Sequence, residues 1–261
     1  MIKEYTVADG VLAFSTTRKG GVSEGNYGEF NINEYCGDKP DHIAANRKLL
    51  ADQIGISESH IVMAHQVHGV EVRQVTSELL ALSGDVRQSM LEGVDALMTD
   101  VAGVCIGVST ADCIPVLLYD ETHHAVAAIH AGWRGTVARI AQKTVQEMVS
   151  AYGTAPEGLK AVIGPGISLD NFEVGDEVYD QFEQAAFDMA SIAGRRPAVS
   201  QPLKWHLDLP LCNQQILRQV GVREENIFMA DICTYAHSDE YFSARKLGIA
   251  SGRIFTAILL K

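Results

Sequence analysis

The chain has no excess of positive charge. Its 21 Lys and Arg stand against 33 Asp and Glu, a formal net charge of −12. That argues against a nucleic-acid backbone as partner, because binding one needs a basic footprint. No apolar run approaches the roughly 20 residues that span a bilayer. The opening Met1-Ile2-Lys3-Glu4-Tyr5-Thr6 has no basic stretch leading into an apolar one, the mark of a secretory signal. A cytoplasmic protein without a membrane partner is therefore expected. Low-complexity stretches and runs of like charge are missing too, so nothing marks a linker, and residues 1–261 are expected to form one domain. Cysteine is sparse and odd in number (Cys36, Cys105, Cys113, Cys212 and Cys233), which excludes a regular disulfide framework in a reducing compartment. Cys212, in the stripe Leu209, Cys212, Ile216, Val220, and Cys105, in an apolar run, read as small buried hydrophobes.

What is present is an ordinary globular composition, 47% hydrophobic and 21% charged. A Gly-rich opening from Ser15 to Asp38 reads as a long irregular loop, more often functional than idle. Helical spacing predicts helices over Pro40 to Ile54, Thr136 to Val149, Gly175 to Phe187 and Leu209 to Val220. Short apolar runs predict strands near Ile61, Val70 to Val75, Ala96 to Thr99, Val104, Leu159 to Gly164, Ile227 and Ile254 to Leu260. Without an even βαβ rhythm, the fold class is mixed α and β, with sheets covered by helices.

Three residues point to chemistry: His68 in Gln66-Val67-His68-Gly69, Cys113 in Thr110-Ala111-Asp112-Cys113, and His130 in Ile129-His130-Ala131-Gly132-Trp133-Arg134. Two imidazoles and one thiolate suit a zinc site with an open fourth position, as catalytic sites keep. Pro115 to Tyr119 and Ala125 to Ile129 read as a β-hairpin. A two-residue turn at Glu121-Thr122 would set Cys113 directly across from His130, with Cβ atoms roughly 5 Å apart. Gly132 and Gly135 fall where the backbone must turn tightly or approach a ligand closely. Trp133 and Arg134, at the start of the following helix, suit an oxyanion; equally, Trp133 is core and Arg134 a surface ion pair. Asp112 orients the metal ligand beside it or bonds its own turn. His65 reads as structural, His123 and His124 as exposed turn residues.

With Asp95-Ala96-Leu97, Ile163-Gly164-Pro165, Asn46-Arg47, Phe172-Glu173-Val174-Gly175 and Phe242-Ser243-Ala244-Arg245, these motifs resemble the YfiH/laccase-domain family, also labelled polyphenol oxidase, peptidoglycan editing factor or purine nucleoside phosphorylase. The match covers nearly the whole chain. Gly166 departs from it, since members often carry cysteine or alanine there. The resemblance implies an α/β/β/α sandwich in the α+β class, and a zinc held by His68, Cys113 and His130. It also implies phosphorolysis of purine nucleosides including methylthioadenosine, and deamination of adenosine. Purine nucleosides and phosphate are then the partners. Arg47, Arg134 and Arg245 are the candidates for phosphate, and Cys113, Arg47 and Asp112 the candidates for catalysis. The oligomeric state is left open by the sequence.

Other readings stand beside this one. The same donors take Cu2+ and support some phenol oxidation, although nine histidines with no His-x-His pair are few for a four-copper enzyme. A metal-free hydrolase with Cys113 as nucleophile and His130 as base uses the same hairpin and has no obvious need of His68. A structural metal would want a fourth ligand, for which Cys36, Cys105 and His65 are the candidates.

Overall fold

A computed structural model describes residues 1–198 and 201–261. One sheet runs β1 (Ile2–Tyr5), β2 (Val11–Thr16), β14 (Ile254–Leu260), β6 (Cys105–Thr110), β3 (Ile61–Met63), antiparallel except for the parallel pair β6–β3. A second runs β13 (Ile227–Met229), β9 (Lys160–Ile163), β7 (Ile114–Asp120), β8 (Ala125–Ala131), β5 (Ala96–Thr99), β4 (Val72–Gln74), with parallel pairs at both edges. A small third sheet joins β10 (Glu173–Val174), β12 (Gln201–Leu207) and β11 (Ala193–Ala198).

Strand alternation sorts the residues into layers. Ile106 and Val108 of β6 and Ile258 and Leu260 of β14 pack against Leu117 and Tyr119 of β7 and Val126 and Ala128 of β8, between the two large sheets. The opposite face of the first sheet, with Phe14, Cys105 and Phe255, packs on Leu50 and Ala51 of the helix Pro40–Ile54. The opposite face of the second, with Val116, Leu118 and Ile129, packs on Ile140, Val145 and Met148 of the helix Ile140–Tyr152 and on Cys212 and Ile216 of the helix Leu209–Gln219. The result is the helix–sheet–sheet–helix sandwich that the resemblance implied. It also explains why the central strands read as continuous apolar runs: both of their faces are covered.

Two sequence expectations need correction. The β7–β8 hairpin closes with a four-residue loop, Glu121 to His124, so Pro115 rather than Cys113 lies opposite His130. The Asp120 carboxylate widens the loop by accepting the backbone N–H groups of Thr122 and His123 and bonding the His123 ring at 2.8 Å. The register moves by two residues, an even number, so Cys113 keeps its face. The expected helix from Thr136 is two helices, Trp133–Val137 and Ile140–Tyr152, broken at Arg139 with φ 59°. The Arg139 guanidinium bonds Gln219 Oε1 and the Ala185 carbonyl and lies over the Phe187 ring; this anchorage holds the break. Five strands, β1, β2, β10, β11 and β12, went unread, and Ser15 and Thr16 belong to β2 rather than to the loop that follows.

That loop is held from within. Asn46, fully buried on the helix Pro40–Ile54, donates to Ser23 Oγ and to the Glu29 and Asn31 carbonyls, and accepts from Val22 N. Replacing it by alanine orphans several buried backbone groups at once. Asn46→Ala is expected to lower the unfolding free energy by about 3 kcal/mol. Urea denaturation should show this, with new proteolytic cuts between residues 18 and 38 while the sheets stay resistant.

Candidate metal centre

The inter-sheet layer opens at one end, and the candidate residues meet there. His130 shares its face of β8 with Val126 and Ala128, so it points between the sheets. Cys113 immediately precedes β7, and His68 lies in the connection from β3 to β4 with φ 63°. The Nδ1/Nε2 and Sγ ligand atoms of His68, Cys113 and His130 all lie within 4.8 Å of one another. Among the described residues this is the one His, Cys, Asp or Glu group so arranged for a metal. The two imidazoles meet edge to face, with centroids 4.8 Å apart.

A buried carboxylate organises the trio. Asp95, 0% exposed, accepts the backbone N–H groups of Val67, His68 and Gly69 at 3.2, 2.9 and 2.8 Å, and bonds His130 Nδ1 at 2.8 Å. One side chain thus fixes both the loop carrying His68 and the ring of His130, leaving His130 Nε2 for the cleft. Burial alone would raise the Asp95 carboxyl; the His130 bond and the loop N–H groups outweigh it and hold the carboxyl below its usual range. At Cys113 burial opposes ionisation, but His130 and His68 prevail and bring the thiol down to about 6. His130 is shifted the other way: against its burial, the Cys113 sulfur and Asp95 raise it.

Gly132 leaves the space these groups need. A Cβ there would lie 3.0 Å from Cys113 Sγ and 3.1 Å from His68 Cδ2. Its place among the chemistry-bearing residues was legible from the sequence as a close approach. Asp112, with φ 89°, clamps the turn before Cys113: its carboxylate accepts Thr234 Oγ1 and the Arg245 N–H, each at 2.7 Å, and its carbonyl accepts Ile167 N. Its carboxylate is taken up by Thr234 and Arg245, and Asp112 is not among the residues that line the cleft.

The cleft over the trio, about 230 Å3, is lined by Asn33, Tyr35 and Cys36 of the long loop, by His65, Gln66 and His68, by Ser109 to Ala111 with Cys113 and His130, and by Ala244, Ile249 and Arg253. The three arginines expected to take phosphate stand outside this wall. Arg47 donates to the Ile61 carbonyl and borders a neighbouring cavity. Arg134 is exposed over the Trp133 ring, 4.3 Å from its centroid. Arg245 points its guanidinium at the Glu173 carbonyl. Arg253 is the arginine in the cleft wall, and sequence reasoning missed it; the one signal was its position after Gly248-Ile-Ala-Ser-Gly, ahead of the last strand. Of the possible fourth ligands, Cys105 is buried on the far side of its sheet, while His65 bonds Glu92 at 2.7 Å and stacks on Tyr35. Cys36 lines the cleft but bonds the Asn33 carbonyl.

The donor set fits a metal ion on several counts: two nitrogens and an acid-shifted thiol converge, one imidazole is oriented through its other nitrogen, and a glycine leaves them room. In protein stripped of metal, Cys113 is expected to be alkylated by iodoacetamide at pH 7 nearly as fast as at pH 8.5. The rate should fall only as pH drops through about 6. Cys105 and Cys212, fully buried and shifted up, should stay unlabelled. A Cys113 rate still climbing steeply above pH 8 would contradict the electrostatics.

A helix–sheet–sheet–helix sandwich with the His68–Cys113–His130 cluster at the mouth of its inter-sheet layer defines the class of protein. Residues 12–261 match the family described as multi-copper polyphenol oxidoreductase laccase, and the chain belongs to that family. It is 46% identical over 247 residues to a purine nucleoside phosphorylase of Bacteroides thetaiotaomicron, covering 95% of this chain and 90% of the relative. It is 42% identical over 253 residues to adenosine deaminase RL5 of an unknown prokaryotic organism, covering 97% and 95%. The solved structure of the hypothetical protein YfiH of Bacillus licheniformis superposes with a TM-score of 0.88 at 30% identity, covering 96% of this chain and 93% of that one.

Proposed function

We propose that the protein is a zinc-dependent purine nucleoside phosphorylase that also deaminates adenosine and cleaves methylthioadenosine. The observation that carries this reading is the convergence of His68, Cys113 and His130 in one cleft, in a chain whose relatives are named for these two purine activities. His68, Cys113 and His130 would hold the ion, which when bound supplies Lewis acidity and an acidified water. The chain's own residues do the rest: Asp95 orients His130, Asp112 sets the turn of Cys113, and the Asn33 to Cys36 loop walls the cleft. Arg253 lines the cleft, as Arg47, Arg134 and Arg245 do not, and to meet phosphate its guanidinium would exchange the Ile249, Ser251 and Gly252 carbonyls it now bonds. Among the described residues no helix is long and apolar enough to cross a membrane.

Asp95, His130 and Cys113 in sequence also form the arrangement of a thiol hydrolase, a carboxylate orienting a base that activates a nucleophile. His68 decides between the readings. A dyad leaves it without a task, whereas a metal uses it as the third donor. Copper fits the same donors, so weak oxidase activity is compatible with the site.

The test incubates zinc-loaded protein with inosine, with and without phosphate. Hypoxanthine together with ribose 1-phosphate, formed only when phosphate is present, supports the proposal. Phosphate-independent release of hypoxanthine, or no turnover of inosine, adenosine or methylthioadenosine, overturns it.

A further inference from the structure

We infer that Thr110 is the residue that reads the 6-substituent of the purine, accepting from the amino group of adenosine and donating to the oxo group of inosine. The inference rests on the purine reading of the site. Thr110 ends β6 and falls on the same face as Ile106 and Val108, so it points between the sheets, from the sheet facing that of His130. It is 1% exposed and lines the cleft with His68, Cys113 and His130, yet its hydroxyl has no hydrogen-bond partner in the protein.

The neighbours make the contrast plain. The buried hydroxyls of Tyr5, Ser15 and Thr256 are matched to one another, Tyr5 to Ser15 and Ser15 to Thr256, at 2.8 and 2.7 Å; those of Tyr152 and Thr154 are unmatched as Thr110 is, but do not line the cleft. Ser109, one residue earlier and on the opposite face, bonds Met63 Sδ at 3.0 Å. A buried hydroxyl left unmatched is destabilising, and at the wall of a cleft the missing partner is a ligand.

The chemistry narrows which part of the ligand this is. Deamination converts adenosine and water to inosine and ammonia at purine C6, so C6 must approach the His68–Cys113–His130 centre. A hydroxyl in the same cleft then meets the group on C6. Because it both donates and accepts, and no protein partner holds it in one rotamer, one hydroxyl serves the amino and the oxo purine.

The test compares Thr110→Val, which keeps the shape and removes the hydroxyl, with Thr110→Ser, which keeps the hydroxyl. Phosphorolysis is measured on adenosine, inosine and purine riboside, the last lacking any 6-substituent, alongside zinc content and Tm. Thr110→Val should hold wild-type zinc and an equal or higher Tm. It should lose about tenfold in kcat/KM on adenosine and inosine, as for one hydrogen bond between uncharged groups, and nothing on purine riboside. Thr110→Ser should stay near wild type. Unchanged kinetics with a lowered Tm would mean the hydroxyl is structural and would overturn the inference; so would an equal loss on all three nucleosides, which would place the contact elsewhere. A wild type inactive on every nucleoside sinks the purine reading itself. Wild-type turnover with an indifferent Thr110→Val sinks only this assignment.

Discussion

Cys113→Ser is expected to abolish metal retention and turnover while leaving the fold intact. A zinc held by four protein ligands gains about 10–16 kcal/mol, so one thiolate accounts for roughly a quarter, about 3 kcal/mol. A neutral serine hydroxyl recovers little of that. Affinity should therefore fall about a hundredfold, enough for chelator dialysis to strip the variant under conditions that leave the wild type loaded. The metal-free fold should be unharmed, because Cys113 lies at the mouth of the inter-sheet layer rather than in its packed interior. Circular dichroism and atomic spectroscopy on the same sample check both halves. A variant that keeps one tightly held ion per chain would show that the sulfur is not a ligand.

Asp95→Asn is expected to damage both site and stability although Asp95 does not line the cleft. The carboxylate holds three loop N–H groups and the His130 ring. An amide has one acceptor oxygen for the work of two, and its NH2 faces a donor wherever it is turned. Loss of a partner that orients a metal-binding imidazole typically costs 10–100-fold in metal affinity. Weakening charge-assisted bonds in a fully buried position adds about 3 kcal/mol of lost stability. Denaturation of metal-free protein isolates the second effect, and competition with a zinc chelator measures the first. Metal affinity within twofold of wild type would mean that His130 is held in place without Asp95.

Much of this was legible in the chain. Pro40 at the start and Gly55, with φ 74°, at the end framed the helix Pro40–Ile54 without error, because both signals are local. The three candidate metal ligands stood out because their motifs join donor residues to glycines and strand ends. The hairpin register did not, since it depended on the Asp120 side chain capturing its own loop, and nothing in the apolar pattern reports that. Proximity of Cys113 and His130 survived the error only because the shift was even. Asp95 received no role, as it lies 27 residues from His68 and 35 from His130 and meets them only once β5 is laid beside β8. Arg253 was hidden for the same reason: the last strand carries it back to the Asn31 side chain near the other end of the chain. Local signals name the donors, and the sheet order supplies the groups that position them.

The most direct measurement is the metal content of protein purified without added metal, with His68→Ala prepared in parallel. The account predicts about one zinc per wild-type chain and none in the variant, with nucleoside turnover lost along with the ion. Metal-free wild type, or a His68→Ala variant that remains active, would contradict it and leave the Cys113–His130–Asp95 hydrolase in its place.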